Sequence, residues 1–186
     1  MNLILASASP RRSELLIREG VSFQTVPSGV EELSGDALPP AELAVENALL
    51  KARDIAVSHP SDLVLGSDTV VVIDDRTLGK PKDLAEGAEM LRSLAGRWHE
   101  VITGVALVGR GEEFSFYETT RVRFKPLSDE EIADYQSQVH VLDKAGGYAI
   151  QDGGERIIAE VVGCRDNVMG LPVSRALQEL KNFDVL

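Results

Sequence analysis

The charged side chains that could do chemistry in this sequence are scattered along it: Arg11, Arg12, Glu32, Lys51, Asp68 and Lys80. Asp68 anchors the set. It lies within residues 63–73, Leu-Val-Leu-Gly-Ser-Asp-Thr-Val-Val-Val-Ile, whose apolar residues do not alternate, as in a strand covered on both faces. An isolated buried carboxylate is costly, so Asp68 should be neutralised, paired, bound to a metal or opened onto a cleft. The plainer alternative is a strand-end bend at residues 66–69 with Asp68 in water. Arg11 and Arg12 follow Ser9-Pro10, an N-cap and a first helical residue. Both cations therefore fall in a first turn, where the macrodipole is already positive. An anion at that helix start would relieve the conflict; two solvated arginines are the alternative. Lys51, at the edge of a helical apolar stripe, either snorkels to solvent or reaches into a cleft beside the central strand. Lys80 is held between Gly79 and Pro81 on the segment that returns beside the strand of Asp68. If these groups converge, the site unites four cations with two or three carboxylates. That is an inventory for a polyphosphate with a divalent metal such as Mg²⁺ or Mn²⁺. Carboxylates take the hard cation, and Arg and Lys neutralise phosphate oxygens.

Other chemistries lack their motifs. There is no Gly-x-x-x-x-Gly-Lys-[Ser/Thr] phosphate loop, no Gly-x-Ser-x-Gly elbow and no His-Glu-x-x-His helix. His59, His99 and His140 are isolated and read as structural or solvated. The single cysteine, Cys164, cannot make an intrachain disulfide or a cysteine-rich zinc site, which fits a reducing cytosol.

The elements that must position these residues follow from periodicity and punctuation. Residues 2–6 read as a strand, with a helix from Pro10 to Gly20. Residues 21–27 read as a second strand, and 28–35 as a loop where the adjacent acids Glu31 and Glu32 look like a solvated patch. A long helix spans residues 39–58 with Ala41, Ala44, Val45, Ala48, Ala52 and Ile55 on one face. After the central strand come a turn at Asp74-Asp75-Arg76 and a helix opened by Asp83 and Glu86 that ends at Gly96. Residues 98–108 and 113–124 read as strands joined by the turn Gly109-Arg110-Gly111. In the second, Phe114, Phe116, Val122 and Phe124 share one parity, as in a half-exposed antiparallel strand. Ser128 and Glu131 form a capping box, residues 139–155 a glycine-rich loop of the kind that binds ligands, and residues 157–162 a strand. Gly170-Leu171-Pro172 opens the last helix. The alternation predicts an α/β fold on a mixed central sheet flanked by helices, two-lobed with a cleft, in one domain over residues 1–186.

Composition sets the outer bounds. With 186 residues, 44% apolar and 26% charged, the chain can bury a sizeable core. A net charge of −11 argues against nucleic acid or an anionic membrane as the main partner. A small anion needs only a local cationic pocket. The start lacks a basic segment ahead of a long apolar run, and no stretch approaches bilayer length, so a cytoplasmic protein is expected.

Taken together, Ser7-Ala-Ser-Pro-Arg-Arg12, Gly66-Ser-Asp-Thr-Val-Val71, Gly79-Lys-Pro81, Thr103-Gly-Val105, Asp143-Lys-Ala-Gly146, Ile150-Gln151 and Asn167-Val-Met-Gly-Leu-Pro172 resemble the Maf family of nucleoside-triphosphate pyrophosphatases. The motifs cover nearly the whole chain in the family's order. The resemblance implies a fold related to the inosine-triphosphate pyrophosphatases, a homodimer in many members, and release of pyrophosphate from a nucleoside triphosphate by water attacking the α-phosphorus. It places Asp68 as general base or metal ligand, Glu32 at the metal, and Ser7, Arg12, Lys51 and Lys80 at the phosphates. Arg11, Thr69 and Gln151 match positions of the branch preferring dTTP and UTP. The Gln151 amide could accept from a pyrimidine N3–H and donate to O4, although guanine offers a similar pair. Two departures lie near the expected base pocket: Gly147 and Ala149 stand where relatives often have Ala and Gly, and Gly163-Cys-Arg-Asp-Asn167 replaces Gly-Ser-Tyr-x-Asn. The alternatives are a 7-methyl-GTP or broad house-cleaning preference, and a non-catalytic nucleotide-binding regulator of cell division.

Overall fold

The structure is a computed structural model that describes residues 2–34 and 38–183. Gly35, the last residue of the expected loop, lies outside the described residues. Seven strands form one mixed sheet: β1 (Leu3–Leu5), β2 (Gln24–Thr25), β3 (Leu63–Ile73), β4 (Arg76–Leu78), β5 (Trp98–Gly109), β6 (Glu112–Phe124) and β7 (Ile158–Val162). Their order is β2-β1-β3-β5-β6-β7, with β4 paired to β3. The helices are α1 (Pro10–Arg18), α2 (Pro40–Ala56), α3 (Leu84–Leu94), α4 (Asp129–Gln138), α5 (Gly154–Ile157), α6 (Arg165–Met169) and α7 (Val173–Asn182). In the described residues no helix is long and apolar enough to cross a membrane.

The pairings of β3 make the cleft. One edge is covered by β5 from Val64 to Val72. The other is shared: β1 runs parallel to Leu63–Leu65, and β4 antiparallel to Val71–Ile73. Residues 66–70 lie between these two neighbours, so the sheet is split along that edge where Asp68 and Thr69 stand. The strand itself runs unbroken through Gly66, which removes the reading of residues 66–69 as a strand-end bend.

Strand parity sorts the core into two faces and two ends. On one face α2 covers both ends, packing Ala48, Ala52 and Ile55 on Val64 and Ala106, and Leu43 and Ala44 on Val70 and Ile102. On the other face, Leu15, Leu16 and Leu180 meet Leu65 and Leu107, while Leu91, Ile132 and Tyr135 meet Val71, Val101 and Phe124. Gly66 and Gly104 let α2 press directly on the sheet. A Cβ on either would collide with the carbonyl of Ala48 or Ala44, which excludes even alanine there. This close approach brings the polar side chains of α2 down onto Asp68.

Some boundaries differ from expectation. The second strand keeps only Gln24–Thr25 of residues 21–27, because that is all that finds a partner on β1. Ser9 is the N-cap residue of α1, but its side chain makes no capping bond; its N–H instead donates to Ser7 Oγ at 3.2 Å. The last strand starts at Ile158, after the short α5, and α6 had no sequence-level counterpart. The capping box of Ser128 and Glu131 forms with both bonds.

Candidate active site

A cleft of about 600 Å³ opens at the split in the sheet. It is lined by every residue singled out from the sequence: Ser7, Arg11, Arg12, Glu32, Lys51, Asp68, Thr69, Lys80 and Gln151. Side chains of even parity on β3 face α2, so Asp68 meets the helix. Lys51 takes the inward course of its two options: Nζ lies 2.7 Å from Asp68 Oδ1 and 2.7 Å from Glu32 Oε1. Asp68 is 7% exposed, and its second oxygen accepts from Asn47 Nδ2 at 3.2 Å. The costly buried carboxylate is therefore paired, hydrogen-bonded and at a cleft wall. Glu32 belongs to the same cluster rather than to a solvated acidic patch. Its partial burial pushes its carboxyl up, but the bond and charge of Lys51, with Lys80 and Arg12, outweigh this and hold it below the usual carboxylate range.

Side chains of odd parity face the other way, towards α1 and α6. Arg12 is buried there, with Nε donating to Gly170 O at 2.8 Å, NH1 to Ser7 Oγ at 3.0 Å and NH2 to Thr69 Oγ1 at 3.2 Å. Thr69 Oγ1 is also 2.9 Å from Thr103 Oγ1, which donates to Asn167 O at 2.9 Å. A hydroxyl has one proton, so Thr103 accepts from Thr69, and Thr69 accepts from Arg12. This directed chain ties α1 to β3, β5 and α6. Burial pulls the Arg12 guanidinium down against the upward pull of Asp68, and nearby Arg11 adds to the fall. Among the described residues no carboxylate contacts this buried guanidinium, which is poised to welcome an anion.

Arg11 points along the cleft to the glycine-rich loop, donating from NH1 to Asp143 Oδ2 at 2.9 Å and from NH2 to Asp143 O at 3.4 Å. Lys144 Nζ takes Asp143 Oδ1 at 2.7 Å. Burial raises the Asp143 carboxyl, but the bonds from Lys144 and Arg11 overcome it and lower it to about 2. Gln151 lines the same end but is exposed, its amide donating to neighbouring Asp152 at 3.1 Å. Between them the loop forms a 3₁₀ turn at Ala145–Gly147, with Gly147 at φ +70°. Alanine would be strained at that φ, so the turn favours the glycine that stands there. Tyr148, on the cleft wall, hydrogen-bonds His99 Nε2 at 2.8 Å from below, and burial lowers the His99 imidazole to about 4.

Sequence reasoning missed Asn47 and Thr103 as members of this wall or its support, and it singled out the loop that carries Asp143 and Tyr148 without giving either residue a role. Asn47 left a usable signal: it is a polar residue on the apolar face of α2, four before Lys51. For a metal, the cluster offers two hard carboxylate oxygens facing one cationic centre, now the Lys51 ammonium. Among the described residues no three His, Cys, Asp or Glu side chains come together. Two carboxylates suit a small divalent ion that keeps waters and takes phosphate oxygens for the rest of its shell, so the residues fit.

The family model described as Maf-like protein matches residues 2–183. The chain belongs to the Maf family. It is 48% identical over 181 residues to the dTTP/UTP pyrophosphatase of Bacillus cytotoxicus, covering 97% of this chain and 95% of that one. It is 46% identical over 182 residues to the dTTP/UTP pyrophosphatase of Bacillus mycoides, covering 98% and 95%. Among solved structures, the Staphylococcus aureus Ham1 protein superposes with a TM-score of 0.54 at 16% identity, over 97% of this chain and 100% of that one. That likeness speaks to fold alone, and it agrees with the mixed α/β architecture expected of this Maf chain.

Proposed function

We propose that this chain hydrolyses nucleoside triphosphates to the monophosphate and pyrophosphate, with preference for dTTP and UTP. The observation that carries the reading is the convergence of Asp68, Glu32, Lys51, Arg12 and Lys80 on one cleft, in a Maf chain whose relatives at 46–48% identity are named for that reaction. Residues 2–183 are taken as one working unit, matching the span of the family model.

In this reading Ser7, Arg12, Lys51 and Lys80 hold the triphosphate oxygens. Asp68 takes a proton from the water that attacks the α-phosphorus, or orients it, while the bond from that phosphorus to the β-bridging oxygen breaks. Asp68 later returns the proton to solvent. Charge developing on the leaving pyrophosphate is met by Arg12, Lys51 and Lys80; Arg12 needs no reorganisation because Ser7, Thr69 and the Gly170 carbonyl already hold it. Glu32 and Asp68 would hold a divalent cation, Mg²⁺ or Mn²⁺, which supplies further neutralisation of phosphate charge. Arg11, Thr69 and Gln151 set the base preference. For Thr69 this runs through Arg12 and Thr103, since its hydroxyl is engaged by both.

Pyrophosphate release from a panel of standard and modified nucleoside triphosphates, with and without Mg²⁺ or Mn²⁺, tests the reading. Metal-dependent release from dTTP and UTP above the rest is the expected result. Preference for 7-methyl-GTP would discard the base assignment. Triphosphate binding without release would leave a nucleotide-binding regulator in its place.

A further inference from the structure

Asn47 is 3% exposed in the middle of α2. A buried amide there is costly unless its donors and acceptor are all used. They are. Oδ1 accepts from Leu33 N at 2.7 Å, and Nδ2 donates to Leu33 O at 3.0 Å and to Asp68 Oδ2 at 3.2 Å. The orientation of the amide is unambiguous, because an N–H can only donate to it and a carbonyl and a carboxylate can only accept. By pairing both backbone groups of Leu33, the side chain stands in for the neighbouring strand that residues 28–34 lack. Leu33 is next to Glu32, so holding its backbone fixes where the Glu32 carboxylate arrives. One turn along the same helix face, Lys51 then meets Glu32 and Asp68 together.

We infer that Asn47 is the positioning residue of the two-carboxylate seat: it sets the approach of Glu32 to Asp68 by clamping the Glu32 loop to the central strand. This rests on the proposed role of Glu32 and Asp68 at a divalent cation. Asn47 touches no reacting atom. Its effect passes through Glu32, whose carboxylate lies next to the clamped Leu33 and meets Lys51 there.

Asn47→Ala tests the inference. Alanine suits a helix interior, and the freed backbone of Leu33, itself 46% exposed, can turn to water. Residues that orient metal-holding side chains typically cost about 10- to 100-fold in metal affinity or activity when removed. The expected result is a roughly tenfold or larger fall in Mn²⁺ affinity, read by electron paramagnetic resonance in the presence of a non-hydrolysable dUTP analogue. A matching rise in the Mg²⁺ concentration for half-maximal turnover should accompany it, with analogue affinity in chelator changed by less than about twofold. In the Glu32→Gln background, adding Asn47→Ala should cost little more, since the path through Glu32 is already cut. Asn47→Ser, which keeps a polar atom but cannot span both backbone groups, should behave like the alanine variant and replaces it if alanine does not fold. Unchanged Mn²⁺ affinity, or the same loss in the Glu32→Gln background as in the wild type, overturns the inference. Wild-type Mn²⁺ affinity and turnover in Glu32→Gln alone would instead overturn the proposed role of Glu32, and this inference with it.

Discussion

At the Asp68 end of the cleft, the carboxylate and the buried arginine are held by partners on regular elements: Asp68 by Lys51 and Asn47 of α2, and Arg12 by Thr69 of β3 and the carbonyl of Gly170 that closes α6. At the Gln151 end the wall is a glycine-rich loop with a single 3₁₀ turn, tied down by Asp143 to Arg11 and by Tyr148 to His99. Gln151 itself is exposed. Groups that must meet developing charge gain from being fixed beforehand, since they cost no reorganisation as the reaction proceeds. Groups that choose among bases gain from sitting on a loop whose length and sequence can change without disturbing the sheet. Under the proposed roles, the molecule separates what must be constant from what can vary.

Substitutions at the two ends should therefore differ in kind as well as in size. The largest effect belongs to Asp68→Asn, which keeps the shape but removes the charge between Lys51 and Asn47. Turnover should fall by about a hundredfold or more, with the thermal unfolding midpoint close to wild type. Near-normal pyrophosphate release would place the chemistry elsewhere and dissolve the comparison.

Next comes the floor beneath the Gln151 end. His99 is 3% exposed, and burial lowers its imidazole from 6.5 to about 4. Below pH 6.5 the unfolded chain takes up a proton that the fold refuses, so this contribution is complete above 6.5 and is lost as pH falls towards 4. Denaturant titrations should show a stability loss of up to about 3 kcal/mol across that window, beyond the loss seen in His99→Gln. Equal pH slopes for the two proteins would mean that the imidazole is not held neutral.

Gln151→Ala should act on selection rather than chemistry. Losing one or two hydrogen bonds worth about 1 kcal/mol each raises KM for dTTP and UTP roughly five- to thirtyfold and leaves kcat nearly intact. A fall in kcat with KM unchanged would show that this end takes part in the chemical step. Smallest is Asp143→Asn, which weakens a partly exposed tie to Arg11 and Lys144. A change in KM of about two- to fivefold, shrinking as salt is added, is expected from such a pair. A salt-independent effect would point instead to a rearranged loop.

Much of this was legible beforehand where local physics decides. The central strand occupies residues 63–73 as expected, because an apolar run covered on both faces has one way to be satisfied. The helix starts at Ser128 and Asp83 follow from capping chemistry confined to a few residues. The segment at residues 21–27 shrank to two residues of strand because its neighbour β1 is itself only three residues long. The sequence could not rank the two options for Lys51, since snorkelling and reaching inward use the same stem. Residue pattern alone did not separate Glu32 from Glu31, which only the motif resemblance did, as the physical difference lies in a clamp from Leu33 to Asn47, fourteen residues on.

By itself, then, the sequence determined the alternation of strands and helices, the apolar strand around Asp68 and the Maf motif set, all of which rest on short-range pattern or on residue identity. The tertiary structure decided that β1 and β4 share one edge of β3 and leave residues 66–70 open between them. It also decided that Gly66 and Gly104 admit α2 closely enough for Asn47 and Lys51 to reach Asp68. Those are relations between segments far apart in the chain, set by which edges and faces remain to be covered once the core has packed.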